Sequence, residues 1–99
     1  MEKIKETIDL KELEKYGYEK ENAMYVKYTN DTYYGSPIAI TINAYTRIIE
    51  KRYCWTYMFG PILHSSIMRN NKPVKVNKKY IQDLIQAGYI EEAKWKEKN

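Results

Sequence analysis

His64 and Cys54 are the single histidine and the single cysteine of the chain, and together they bound the chemistry it can carry. A thiol beside an imidazole is a nucleophile pair. Cys54, however, falls inside an alternating stretch that reads as a strand, where a small half-buried thiol is ordinary packing. One cysteine and one histidine cannot assemble a four-ligand zinc site. Between residues 23 and 80 the only acids are Asp31 and Glu50, with no spacing that pairs carboxylates for acid–base work. The four glycines stand apart at 17, 35, 60 and 88, so no phosphate-cradling loop exists. The sequence therefore reads as non-catalytic, with no metal and no cofactor.

A basic and tyrosine-rich set remains. The candidate binding residues are Tyr33, Tyr34, Tyr45, Arg47, Lys51, Arg52, Tyr57, Arg69 and Lys72, with Lys75, Lys78 and Lys79 continuing the series. Cations interleaved with rings can hold phosphates and stack bases. Tyr, Trp and Arg are equally the anchors of protein interfaces. The spacing selects neither use. Core tyrosines with solvated lysines would give the same composition.

Charge is unevenly distributed. Residues 1–22 carry five lysines against seven acids, net −2. Residues 23–80 carry nine lysines or arginines against two acids, net +7. Residues 81–99 carry three lysines against four acids, net −1. The middle region would attract an acidic protein surface or nucleic acid.

Pro37–Tyr57 must position these residues. Ile38, Ile40 and Ile42 alternate with Ala39, Thr41 and Asn43, which predicts a strand with one isoleucine face. Ile49, Lys51, Tyr53, Trp55 and Tyr57 then share one face of a second strand. Ile48, Glu50, Arg52, Cys54 and Thr56 share the other. Burial of the Ile49 face is favoured by its larger apolar area, with Lys51 snorkelling outward. The connection lacks an Asn-Gly signal, so a longer loop is expected, with Asn43 supplying the tolerant backbone position.

The flanks carry helix signals. Asp9 is placed to cap a helix ending at Tyr16, with Glu12 set as in a capping box and Ile8 and Leu13 as a staple. Gly17 would take the left-handed position, and Tyr18 would fold back. Asn77, Ile81, Leu84, Ile85, Gly88 and Tyr89 repeat that pattern near the other end. Met24–Thr29 reads as a strand and Asn30-Asp31 as a turn. A loop over 32–36 follows. Residues 62–67 read as a short buried or edge segment, and 68–73 as a polar loop. The expected architecture is a single α+β domain over residues 1–99. It comprises a helical cap (1–22), an antiparallel sheet of three to four strands (23–67), a C-terminal helix (77–90) and a charged tail (91–99).

No stretch reaches the roughly 18 apolar residues of a membrane span. The opening MEKIKETIDL has no apolar run of the signal-peptide kind. A lone cysteine fits a reducing compartment, so a cytoplasmic protein with no membrane partner is expected.

Three stretches, Lys11–Tyr18, Ile40–Asn43 with Thr46–Ile49, and Tyr80–Glu91, resemble short proteins of phages and mobile elements of AT-rich Gram-positive bacteria. That resemblance implies a small accessory factor, such as an inhibitor of host defence of the anti-CRISPR kind. The implied partner is a host protein or nucleoprotein with an acidic surface. Direct nucleic-acid binding in a regulatory role is the alternative.

Overall fold

A computed structural model describes the backbone of residues 1–33, 36–57, 60–63, 68–69, 72–73 and 76–93, and side chains for 1–32, 37–52 and 76–93. In chain order the strands are β1 (Glu2–Ile4), β2 (Glu19–Glu21), β3 (Met24–Tyr33), β4 (Ser36–Asn43), β5 (Ile49–Tyr57), β6 (Gly60–Leu63), β7 (Met68–Arg69), β8 (Lys72–Pro73) and β9 (Ile90–Glu92). Helical structure is short. A 3-10 helix spans Leu10–Tyr16, and a second, Lys78–Ile81, runs into the α-helix Gln82–Gln86. The class is mixed helix and strand, dominated by antiparallel pairing.

The main sheet has the order β2-β3-β4-β5-β6. β4 pairs with β5 from Ile38 opposite Tyr53 to Ile42 opposite Ile49. Pro37 has no N–H to extend that ladder. From Cys54 onward β5 pairs instead with β6. The register places Ile38, Ile40, Ile42, Ile49 and Lys51 on one face. Tyr25 of β3 extends that face, and against it pack Ile4, Leu13, Tyr18, Val76, Ile81 and Leu84, which complete the core. Ile49 thus lies on a core face, as expected, and the side chains of Tyr53 and Trp55, expected to be buried with it, lie outside the described residues.

The opposite face of β4 and β5 is covered as well. Ala39, Thr41 and Glu50 are buried there. Arg52 Nε donates to Thr41 Oγ1 (3.0 Å), and its Nη2 lies 3.5 Å from Glu50 Oε1. Burial pushes the Glu50 carboxyl above its ordinary range, with the Arg52 charge opposing.

Both helix ends close as the sequence predicts. Gly17 (φ 90°) and Gly88 (φ 79°) are left-handed. Tyr18 N–H donates to the Leu13 carbonyl (3.3 Å), and Tyr89 N–H to that of Leu84 (3.0 Å). These are the bonds of a Schellman motif. Tyr16 and Tyr89 then meet edge to face at 5.7 Å. The start of the first helix differs from expectation. Asp9 accepts from Lys11 N–H (3.0 Å), while the Glu12 carboxylate reaches forward to Lys15 Nζ (2.8 Å). The tighter 3-10 winding brings the second helical N–H to the cap.

Four further readings are corrected. Residues 1–22 hold two strands besides the helix. β1 pairs with β9 and β2 with β3. Asn30-Asp31 makes no turn: β3 runs through it with a register shift between Tyr28 and Thr32. The Thr29 hydroxyl fills the ladder there, donating to the Ile38 carbonyl (2.8 Å) and accepting from Asp31 N–H (3.1 Å). The segment 68–73 contains the β7–β8 pair. Finally, the β4–β5 connection places Arg47, not Asn43, at positive φ (65°). The Asn43 side chain instead accepts from Tyr45 and Thr46 N–H (2.7 and 2.9 Å), as an Asx turn does.

Arg47 is held from both ends. Its Nη1 donates to the carbonyls of Lys5 (2.8 Å) and Ile8 (2.6 Å), and its Nε lies 3.2 Å from Glu6 Oε2. Its own carbonyl accepts from Ile4 N–H (2.9 Å). Replacing Arg47 by Ala should destabilise the protein by about 2–3 kcal/mol, because charge-assisted bonds to part-buried carbonyls are lost. Urea unfolding measures this, and an unchanged midpoint would mean the arginine is not a fastener. Glu50 gives a pH-dependent counterpart. The folded protein holds its proton more tightly than the unfolded chain does, so this group's contribution to stability falls as pH rises through the interval above about 4.3. Glu50→Gln should therefore gain stability relative to wild type on going from acidic to neutral pH. Unfolding at the two pH values checks the sign.

Candidate functional site

Where the core face of the sheet meets the start of the C-terminal helix, a cavity of about 620 Å³ opens. Ile38 and Val76 supply its apolar surface; Lys51, Lys78 and Lys79 surround it, with Asn77 and Tyr80 completing the wall. Two elements build it. Lys51 sits opposite Ile40 in the β4–β5 ladder, one diagonal step from Ile38 on the same face. Val76 is anchored in the core, so the chain leaves the interior at Asn77. The Asn77 side chain accepts from Lys79 N–H (3.0 Å), and the Asn77 carbonyl accepts from Tyr80 N–H (3.0 Å). This cap turns Lys78 and Lys79 outward while Tyr80 lies half-buried against the core.

Asp31, carried by the β3 bulge, is not part of the lining but engages two residues that are. Its Oδ2 accepts from the Tyr80 hydroxyl (2.6 Å) and lies 3.5 Å from Lys79 Nζ. Lys79 also stands 4.9 Å from the Tyr80 ring centroid. The bond from Tyr80, then the Lys79 charge, hold the Asp31 carboxyl below its ordinary range. The same bond pushes the Tyr80 hydroxyl up. The Lys79 ammonium is also raised, by Tyr80 first and Asp31 second. The rim thus has three lysines, one of which, Lys79, is paired with the Asp31 carboxylate. Such a rim over an apolar floor can hold an anionic group with an apolar neighbour. Among the described residues, no group of three or more His, Cys, Asp or Glu is placed to hold a metal ion.

The candidate residues have separate fates. Lys51 lines the cavity. Arg47 is bonded to the 5–8 segment, and Arg52 lies on the opposite face with Thr41 and Glu50. Tyr45, 82% exposed at the tip of the β4–β5 turn, is remote in the ladder from Lys51. Tyr34 and Lys75 lie outside the described residues, as do the side chains of Tyr33, Tyr57, Arg69 and Lys72 and those of Cys54 and His64. The sequence thus placed Lys51, Lys78 and Lys79 in one basic series without showing that they converge. It missed Asp31, because Asn-Asp reads as a turn, and Ile38, because an alternating isoleucine reads only as core. No helix among the described residues is long and apolar enough to cross a membrane. Comparison with protein-family models, with curated proteins and with solved structures returned no match.

Proposed function

We propose that this protein is a non-catalytic binding protein that docks an acidic surface of a protein partner at the Lys51–Lys78–Lys79 cleft. The observation that carries the reading is the convergence of three lysines from two elements around an apolar floor. Ammonium groups at a rim steer an acidic partner and fix its orientation, while burial on Ile38 and Val76 supplies affinity. The likeness to phage and mobile-element proteins points to the owner of that surface. It is a host protein that handles nucleic acid, such as a defence nucleoprotein of the CRISPR kind, met in the cytoplasm. Occupying its surface would block it without any reaction.

Affinity capture from a host lysate, repeated with the Lys51→Glu/Lys78→Glu variant, tests the reading. The expected result is a stoichiometric protein partner whose binding weakens at least about tenfold in the variant and declines with added salt. Equal capture by both proteins would remove the cleft from the interface. Tight retention of a defined single-stranded oligonucleotide, falling steeply with salt, would replace this reading with direct nucleic-acid binding.

A further inference from the structure

We propose that Asp31 is a built-in competitor at this cleft. Its carboxylate occupies, on Lys79 and Tyr80, the position that an acidic side chain of the partner takes, and the partner displaces it on docking. This rests on the cleft reading above and adds a device that sets its affinity.

Three observations carry it. First, the carboxylate comes from a different element than the groups it engages. Asp31 stands on the β3 bulge, whereas Lys79 and Tyr80 belong to the C-terminal helix. The bulge is fastened by the Thr29 hydroxyl to Ile38 and to the Asp31 backbone N–H, independently of the carboxylate. The carboxylate can therefore swing away while the strand stays in place. Second, its ion pair is exposed: the Asp31 and Lys79 side chains are 50% and 62% accessible. An exposed pair is held weakly. Exchange of one carboxylate for another conserves the bond from Tyr80 and the ion pair with Lys79. Third, among the described residues Asp31 brings a negative charge against a lining that carries three lysines. The other acid of the central region, Glu50, is buried on the far face of the sheet beside Arg52. The favoured occupant is an acidic peptide segment with apolar neighbours, whose carboxylate takes the Asp31 position while an aliphatic side chain rests on Ile38 and Val76.

Fluorescence anisotropy with a short fluorescein-labelled peptide of repeated Asp-Leu-Glu tests this on three proteins: wild type, Asp31→Asn and Lys51→Gln/Lys78→Gln. An asparagine carbonyl still accepts from the Tyr80 hydroxyl, so the rim keeps its shape and loses only the charge. Asp31→Asn should bind about three- to tenfold more tightly than wild type, the gap narrowing as salt is added. The lysine variant should bind more weakly than wild type. Equal or weaker binding by Asp31→Asn, with the lysine dependence intact, overturns the competitor role and leaves the cleft standing. A lowered urea midpoint for Asp31→Asn with unchanged affinity makes Asp31 a strut and also overturns it. If neither wild type nor Asp31→Asn binds the peptide, the cleft reading fails and the inference fails with it.

Discussion

Removal of the β4 isoleucine ridge from water is the constraint on which this structure depends. Ile40 and Ile42 are fully buried, and the groups covering them come from both ends of the chain. Leu13 and Tyr18 arrive from one side, Val76, Ile81 and Leu84 from the other. Each such side chain contributes roughly 2 kcal/mol by leaving water. The helical segments that deliver them are too short to persist alone. A 3-10 helix of seven residues and a five-residue α-helix exist because the ridge gives their apolar sides somewhere to rest. Their glycine caps then turn Tyr18 and Tyr89 back, so that Tyr16 and Tyr89 join the two ends.

The cleft follows from where this cover ends. Along the ridge, exposure rises from 0% at Ile40 to 7% at Ile38. There the β4–β5 ladder is about to finish at Pro37, and the chain returning through Val76 has just left the core. A sheet face that continues past its covering layer presents apolar surface at the bottom and polar groups at the edge. Lys51, next on the same face, becomes a rim residue for that reason, and the Asn77 cap brings Lys78 and Lys79 to the opposing rim. The β3 bulge contributes the last piece, because the two-residue register shift carries Asp31 beside Tyr80.

Much of this was legible from the residues, and the exceptions have physical causes. Period-two alternation located β4 and the first half of β5, since a sheet with one strongly apolar face writes that face into every second residue. The Leu-x-x-x-Gly-Tyr spacing located both helix ends, since only glycine enters the left-handed region without strain. β1, β2 and β9 left no such trace. Glu19-Lys20-Glu21 and Ile90-Glu91-Glu92 are short charged segments held by backbone pairing, and Glu2-Lys3-Ile4 is too short to display an alternation although Glu2 and Ile4 are buried. Asn30-Asp31 carried a turn signal that the neighbouring Thr29 hydroxyl overrode by bonding into the ladder. The cleft was legible only as a list of cations, because convergence of residues 51 and 78–79 is a property of packing.

The division of labour between arginine and lysine completes the account of the site. A guanidinium is weakly hydrated and carries several donors in a fixed fork, so it can satisfy two carbonyls and a carboxylate at little desolvation cost. Arg47 does this across Lys5, Ile8 and Glu6, and Arg52 bridges Thr41 and Glu50. An ammonium is compact and strongly hydrated, and it favours the boundary with water. Lys78 and Lys79 stay exposed at the cleft rim for that reason, although their formal charge equals that of the arginines. A positive sequence region therefore does not translate into a positive face of equal strength. Among the described residues Arg47 and Arg52 are engaged in holding the chain together, while Lys78 and Lys79 stand exposed at the cleft, where a partner's carboxylates can approach them.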